Sequence, residues 1–262
     1  MIIGISGKKQ SGKDTVAKII QYLIYKHNNK YIYKHSEHEF DIFKLNSEHY
    51  LNQPFKIVRF AELPKNIVCM ITNCTREQLE DEEFKNEVLG EEWWYYEFAF
   101  TKIPYNKYNT NDYKNILDGI LVKPTRRMLL QKIGTDCGRD IIHPNIWVNA
   151  VMSNYYPYAI KNSTDCVSKW IIPDVRFPNE LQAIKERSGT VIRVNRTPRH
   201  IIESLGGKLN IDEDFKDAKL AYEHPSETSL DDAKFDYTID NNGIIEELIY
   251  KVKDILIDTK LI

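Results

Sequence analysis

Residues 2–15, IIGISGKKQSGKDT, decide how the rest of the chain is read. The run IIGIS at 2–6 is short and apolar, as a buried parallel strand is, and it ends at Gly7. From Gly12 the period changes, with Val16, Ile19, Ile20, Leu23 and Ile24 recurring at helical spacing. The pattern predicts strand, glycine loop and helix in succession. Between strand and helix stands Gly7-x4-Gly12-Lys13, the spacing that lets backbone N–H groups converge on phosphate oxygens at a helix N-terminus. Ser11 lies within that loop, and Lys13 adds a point charge able to follow a transferring phosphoryl group. A Ser or Thr usually follows the lysine and ligates Mg²⁺; here Asp14 does, with Thr15 one position later. The alternative is a glycine turn that merely caps a helix. The length, spacing and context together favour the phosphate cradle.

Working outward, strands are predicted over 56–60 (KIVRF), 169–175, 190–194 and 235–239. Helices are predicted over about 64–72, 125–134, 147–152, 179–187 and 244–257. Strands alternating with helices imply a parallel sheet covered on both faces. The expected architecture is a three-layer α/β fold with a central parallel sheet of about five strands. We read 1–262 as a single domain, with a helical acceptor-binding insertion over 61–167 and a lid over 196–234 around Gly206-Gly207. The His-rich stretch 27–55 reads as a solvated insertion, the rival being a metal site at His35 and His38. The Tyr/Asn-rich piece 104–115 reads as a surface loop or hairpin whose aromatics pack beneath it rather than stack on bases.

The chain has 262 residues, 42% hydrophobic and 28% charged, as in ordinary globular proteins. A formal net charge of −2 argues against stable nucleic-acid binding or a membrane-surface role. No run approaches a membrane span, and the N-terminus has no leader pattern, so a cytoplasmic protein is expected. Cys69, Cys74, Cys137 and Cys166 form no CxxC pair and no zinc spacing; they read as reduced thiols, two or more of them in the core.

Three polar clusters accompany the loop. Asp174 and Arg176, at the C-terminal end of a predicted strand, lie where open α/β sheets bind ligands. Asp174 suits a Mg²⁺ site and Arg176 a phosphate; the alternative is a salt bridge between the two. The second cluster runs from Arg126 through Arg127, Gln131 and Arg139 to Trp147. It offers cations, an amide and an aromatic surface, which a nucleoside monophosphate would need; Arg126 alone reads better as part of a solvated helix face. The third is Arg193, Arg196 and Arg199, of which Arg196 or Arg199 could serve a lid. In the polar island from His224 to Thr228, an N-cap by Ser226 is favoured over catalysis by His224.

With these residues placed, the chain resembles the bacteriophage-type deoxynucleoside monophosphate kinases, a branch of the P-loop nucleoside monophosphate kinase group. The matching pieces are GKKQSGKDT, FAELPK at 60–65, LLQKIGTDCGRDIIHPNIWVNAV at 129–151 and PDVRFPNELQAIKERSGTVIRVNR at 173–196. HPSETSLDD at 224–232 and DYTIDNNGIIEEL at 236–248 complete the set. FAELPK departs from the family pattern at Glu62-Leu63-Pro64, which weakens any acid role for Glu62. The resemblance implies ATP and Mg²⁺ as cofactors, a dNMP as acceptor and a diphosphate product. It puts the segment around Asn241 by the ATP base. The loop spacing itself gives Gly7, Ser11, Gly12, Lys13, Asp14 and Thr15 to the donor phosphates, with Thr15, Asp14 or water alone as the Mg²⁺ ligand there and Asp174 toward the metal from its strand end. Acceptor contacts would come from Lys65, Arg127, Gln131, Arg139, Trp147, Asp174 and Arg176. Lys13, Arg176 and Arg196 would carry the transfer. A homodimer is compatible with it, as is a host cytoplasm if the chain is phage-encoded. The rivals are a kinase of another small phosphorylated metabolite, of dephospho-coenzyme A or phosphomevalonate type, and a nucleotide sensor without kinase chemistry.

Overall fold

The computed structural model describes residues 1–28, 40, 41, 43, 55–98, 102–105, 119–156, 168–197 and 225–262. In chain order the elements begin with β1 (Ile2–Ser6), α1 (Lys13–Asn28) and β2 (Lys56–Ile57). Then come α2 (Glu62–Thr72), α3 (Arg76–Glu80), α4 (Glu82–Asn86), β3 (Tyr95–Glu97), β4 (Lys102–Pro104) and β5 (Ile120–Val122). α5 (Arg126–Gln131) runs into a π-helix (Lys132–Ile142), followed by α6 (Ile146–Met152), β6 (Trp170–Val175), α7 (Pro178–Lys185) and β7 (Thr190–Asn195). α8 (Pro225–Thr228), β8 (Tyr237–Asp240) and α9 (Ile245–Asp258) close the chain. They make two compact units, one of Met1–Phe60 with Val148–Ile262, the other Ala61–Trp147.

The first unit is built on a five-stranded sheet in the order β2-β6-β1-β7-β8, with every neighbouring pair parallel. Alternation along the strands sorts side chains to two faces. Ile3, Ile5, Ile171, Ile192 and Val194 join α1 and α9 in one buried cluster. Ile2, Trp170, Ile172 and Val191 join Val148, Val151, Ala183 and Ile184 in the other. The result is three layers, an α/β arrangement consistent with a P-loop kinase fold. Each fully buried isoleucine contributes about 1.5–3 kcal/mol, so the two faces rather than the loops hold the sheet.

Gly4 shows how tightly the second face packs. A Cβ there would come within 2.8 Å of Ile184 Cδ1, 3.2 Å of Val175 Cγ2 and 3.3 Å of Val191 Cγ2. Gly4→Val is expected to cost about 1–3 kcal/mol by overpacking. A urea midpoint equal to that of the unsubstituted chain would contradict this.

The first unit departs from expectation at β2. The predicted strand 56–60 pairs with β6 over Lys56–Ile57 and keeps one further bond, from Val58 N–H to Ile171 O at 2.9 Å, then releases Arg59 and Phe60 to side-chain partners described below. In the second unit β3, β4 and β5 form an antiparallel sheet that alternation did not reveal. Its strands are three residues each, too short for a period to register. Tyr105 packs against Trp94 and Tyr96 at centroid distances of 5.5 and 6.2 Å.

Arg126 is a correction. Far from lying on a solvated face, its side chain is 14% exposed, its guanidinium stands 3.7 Å from the Phe84 ring centroid, and it donates to Phe84 O. The cysteines are another, since Cys69 and Cys74 are half-buried and Cys137 is exposed. The first two flank the left-handed turn at Asn73 that ends α2, where sulfur meets polar groups such as Thr72 Oγ1 rather than the core. Among the described residues no helix is long and apolar enough to cross a membrane. Cys166, His35, His38, Gly206, Gly207 and most of 101–118 lie outside the described residues.

Candidate functional site

The loop between β1 and α1 closes on itself through Lys13. Its ammonium donates to Gly7 O and Lys8 O, both at 2.6 Å, so the side chain folds back across the loop. Gly12 has φ +96° and Gln10 φ +62°, left-handed conformations that curl the chain between the two glycines. A Cβ on Gly12 would lie 2.3 Å from Asn241 Nδ2, and one on Gly7 would lie 2.4 Å from Val194 O. The loop is therefore wedged between β7 and the residues after β8. Asn241 secures it by donating to Ser11 O at 2.9 Å. Ser11 Oγ is buried and has no hydrogen-bond partner among the described residues. Such an orphan costs free energy unless a ligand or water completes it, and its position in the glycine loop suits a phosphate oxygen.

Cations crowd the same edge. Burial, with the charge of Arg176 next in weight, pushes the Lys13 ammonium down to about 8. Arg176 follows β6 and pairs with Glu227. Arg193, opposite Ser6 in the β1–β7 register, donates to Ser6 Oγ at 3.1 Å and to Asp231 at 3.0 Å. Lys8 reaches Asp231 as well, at 3.1 Å. Arg196 lies just past β7, half-buried, and its Nε has no partner among the described residues.

The acids sit differently. Asp14 is turned outward, 73% exposed, and pairs with Arg59 at 2.7 Å. Asp174 Oδ1 accepts the Phe60 N–H at 3.1 Å. Consecutive residues after β2 thus reach both acids, which brings the loop end and the β6 end to one short segment. Thr15 is half-buried in the first turn of α1. One hydroxyl and one carboxylate fit Mg²⁺, which takes few protein ligands and completes its shell with water and substrate phosphates.

The deoxynucleotide monophosphate kinase family model matches residues 1–206, more than three quarters of the chain. The chain belongs to that family. A protein of Acanthamoeba polyphaga mimivirus named "Putative deoxynucleotide monophosphate kinase" is 31% identical over 153 residues, 55% of this chain and 68% of that relative. Family membership makes the chain a kinase.

The remaining predicted site residues of the kinase lie in the second unit. Lys65 on α2 pairs with Glu80 at 2.8 Å. Arg127 on α5 donates to Asn86 Oδ1 at 2.7 Å and pairs with Glu82. Gln131 ends α5 and is exposed, while Arg139 is half-buried on the π-helix. Trp147 is 5% exposed, donates its indole N–H to Gly134 O at 2.7 Å and covers Gly138 so closely that a Cβ there would lie 2.6 Å from the ring. It braces the π-helix, whose wide turns the two glycines tolerate. Arg199 and His224 are outside the described residues.

Three contributors escaped the sequence: Glu227, Asp231 and Arg59. Carboxylates spaced four apart in a polar stretch look like any solvated turn. Their partners at Lys8, Lys9, Arg176 and Arg193 are remote in the chain, so neither the polar island at 224–228 nor the HPSETSLDD match singles out either acid.

Proposed function

We propose that the chain transfers the γ-phosphoryl of ATP to the 5′-phosphate of a deoxynucleoside monophosphate, giving a dNDP and ADP. The observation that carries it is the buried Lys13 closing a glycine loop with an orphan hydroxyl at Ser11, beside Arg176 and Arg193.

In this proposal the loop N–H groups and Ser11 Oγ bind the donor phosphates, and Asn241 holds the loop in register. Lys13 exchanges its carbonyl partners for phosphate oxygens. Thr15 and Asp174 would hold Mg²⁺, which when bound neutralises phosphate charge. Arg176 faces the transferring group, and Arg196 stands at the entry to the lid segment. Arg127, held ready by Glu82 and Asn86, would grip the acceptor phosphate, with Lys65, Gln131 and Arg139 around the rest of the nucleotide. Trp147 would act through the π-helix it braces. The acceptor phosphate is already anionic, so no strong base is required; positioning and charge stabilisation carry the rate.

A coupled ADP-release assay over the four dNMPs and the matching ribonucleotides tests this. No acceptor-dependent ADP would point to a sensor, and turnover with a non-nucleotide alone would point to a metabolite kinase.

The depressed Lys13 ammonium has a measurable consequence. Its folded value, about 8, lies below the unfolded one, so folding without ligand favours the neutral amine. The penalty on the charged form is complete below pH 8 and fades as pH rises toward the unfolded value. Donor phosphates favour the ammonium and raise its pKa. ATP binding near pH 8 should therefore take up about half a proton. Calorimetry in two buffers of different ionisation enthalpy would read this as a buffer-dependent heat. Identical heats would remove Lys13 from the phosphate contacts.

A further inference from the structure

Glu227 is buried where a carboxylate is expensive. Its side chain is 7% exposed, on a four-residue helix that the sequence marks only as polar. Such a group is tolerated when both oxygens are paired. Both are. Oε2 accepts the backbone N–H of Lys9 at 2.6 Å, and Oε1 pairs with Nη1 of Arg176. One side chain thus ties the first half of the glycine loop to the arginine that follows β6.

Arg176 is held at its other end too. Its backbone N–H donates to Glu180 Oε2 at 2.7 Å, and Glu180 itself is 2% exposed. Main chain and guanidinium are therefore anchored by two different buried glutamates. Asp231 repeats the arrangement in a wetter setting, joining Lys8 of the loop to Arg193 at 38% exposure. The stretch 225–231 is thus a bracket that clips loop cations and strand-end arginines together.

A guanidinium on a flexible stem loses rotamer freedom when it grips a phosphate. An arginine fixed beforehand spares that loss at the moment of transfer, which appears in turnover rather than in donor affinity. We propose that Glu227 is a positioning residue of the kinase site: it aims Arg176 at the glycine loop and sets the loop's first half, without touching the transferred group. This role rests on the phosphoryl-transfer function proposed above. A carboxylate on a loop N–H that instead competed with incoming phosphate would give tighter ATP binding when its charge is removed, which the positioning role does not predict.

Glu227→Gln separates them. The amide keeps the shape but turns an NH₂ toward one of two donors, so one contact is lost. With ATP and the best dNMP, kcat should fall about 10- to 100-fold while the KM for ATP changes little and the thermal midpoint holds. In an Arg176→Ala background the same substitution should add almost nothing, because the group it positions is gone. Glu227→Asp, one methylene shorter, keeps the charge without the span and should show the same coupling if the glutamine variant folds poorly. Losses that multiply in the double variant would overturn the proposal, as would tighter ATP binding by Glu227→Gln. An unsubstituted chain inactive with every dNMP would sink the proposed function itself; an active one with normal Glu227→Gln kinetics would sink only this role.

Discussion

Lys13→Ala is expected to lower dNMP-dependent turnover by on the order of 10³-fold or more, with the chain still folded. Lys13 places its ammonium inside the glycine loop, 2.6 Å from the carbonyls of Gly7 and Lys8. Phosphate oxygens entering the loop would meet it at a point where burial has already weakened its hydration. Charge stabilisation in a dry site is worth far more than at the surface, so the loss falls chiefly on the transition state. Folding has little to lose from the substitution, because burying the ammonium opposes the ligand-free state. Steady-state kinetics and a thermal melt of the same preparation check both halves. Near-normal turnover would refute the assignment, and a collapsed melt would show that the loop needs the lysine to form.

Arg176→Ala should cost about 10²-fold or more in kcat, with a smaller effect on the KM for ATP. The guanidinium follows the strand beside β1, lies close enough to Lys13 to depress its pKa, and is aimed by Glu227. Removing it also strips Glu227 of its charged partner and leaves a buried carboxylate on the Lys9 N–H alone, which will lower stability somewhat. Arg176→Lys is the sharper probe. It keeps the charge but loses the planar fork, so a large residual defect would assign the effect to geometry. Equal activity of arginine, lysine and alanine at this position would exclude a role in transfer.

The glycine loop and its flanking elements were legible because their signal is local. Strand, turn and helix periods occupy adjacent windows, and Gly7, Gly12 and Lys13 lie within one turn of chain. The five parallel strands were legible for a related reason, each being an apolar run bounded by turn residues. β2 was overextended because KIVRF is apolar enough for a strand, while Arg59 and Phe60 are claimed by Asp14 and Asp174. Arg126 was misread because helical position alone does not disclose the Phe84 ring that covers it.

For this kinase-family chain, residue order was sufficient for the α/β class, the place of the glycine loop and the position of Lys13 at its end, all of which rest on neighbours within a few positions. The partners of the cations had to come from folding. Glu227 reaching Lys9 and Arg176, Asp231 reaching Lys8 and Arg193, and Asn241 closing on Ser11 join residues that parallel crossovers bring to one sheet edge. A charge pair has no period and tolerates any sequence separation, so it leaves no pattern in the chain until the strands are in register.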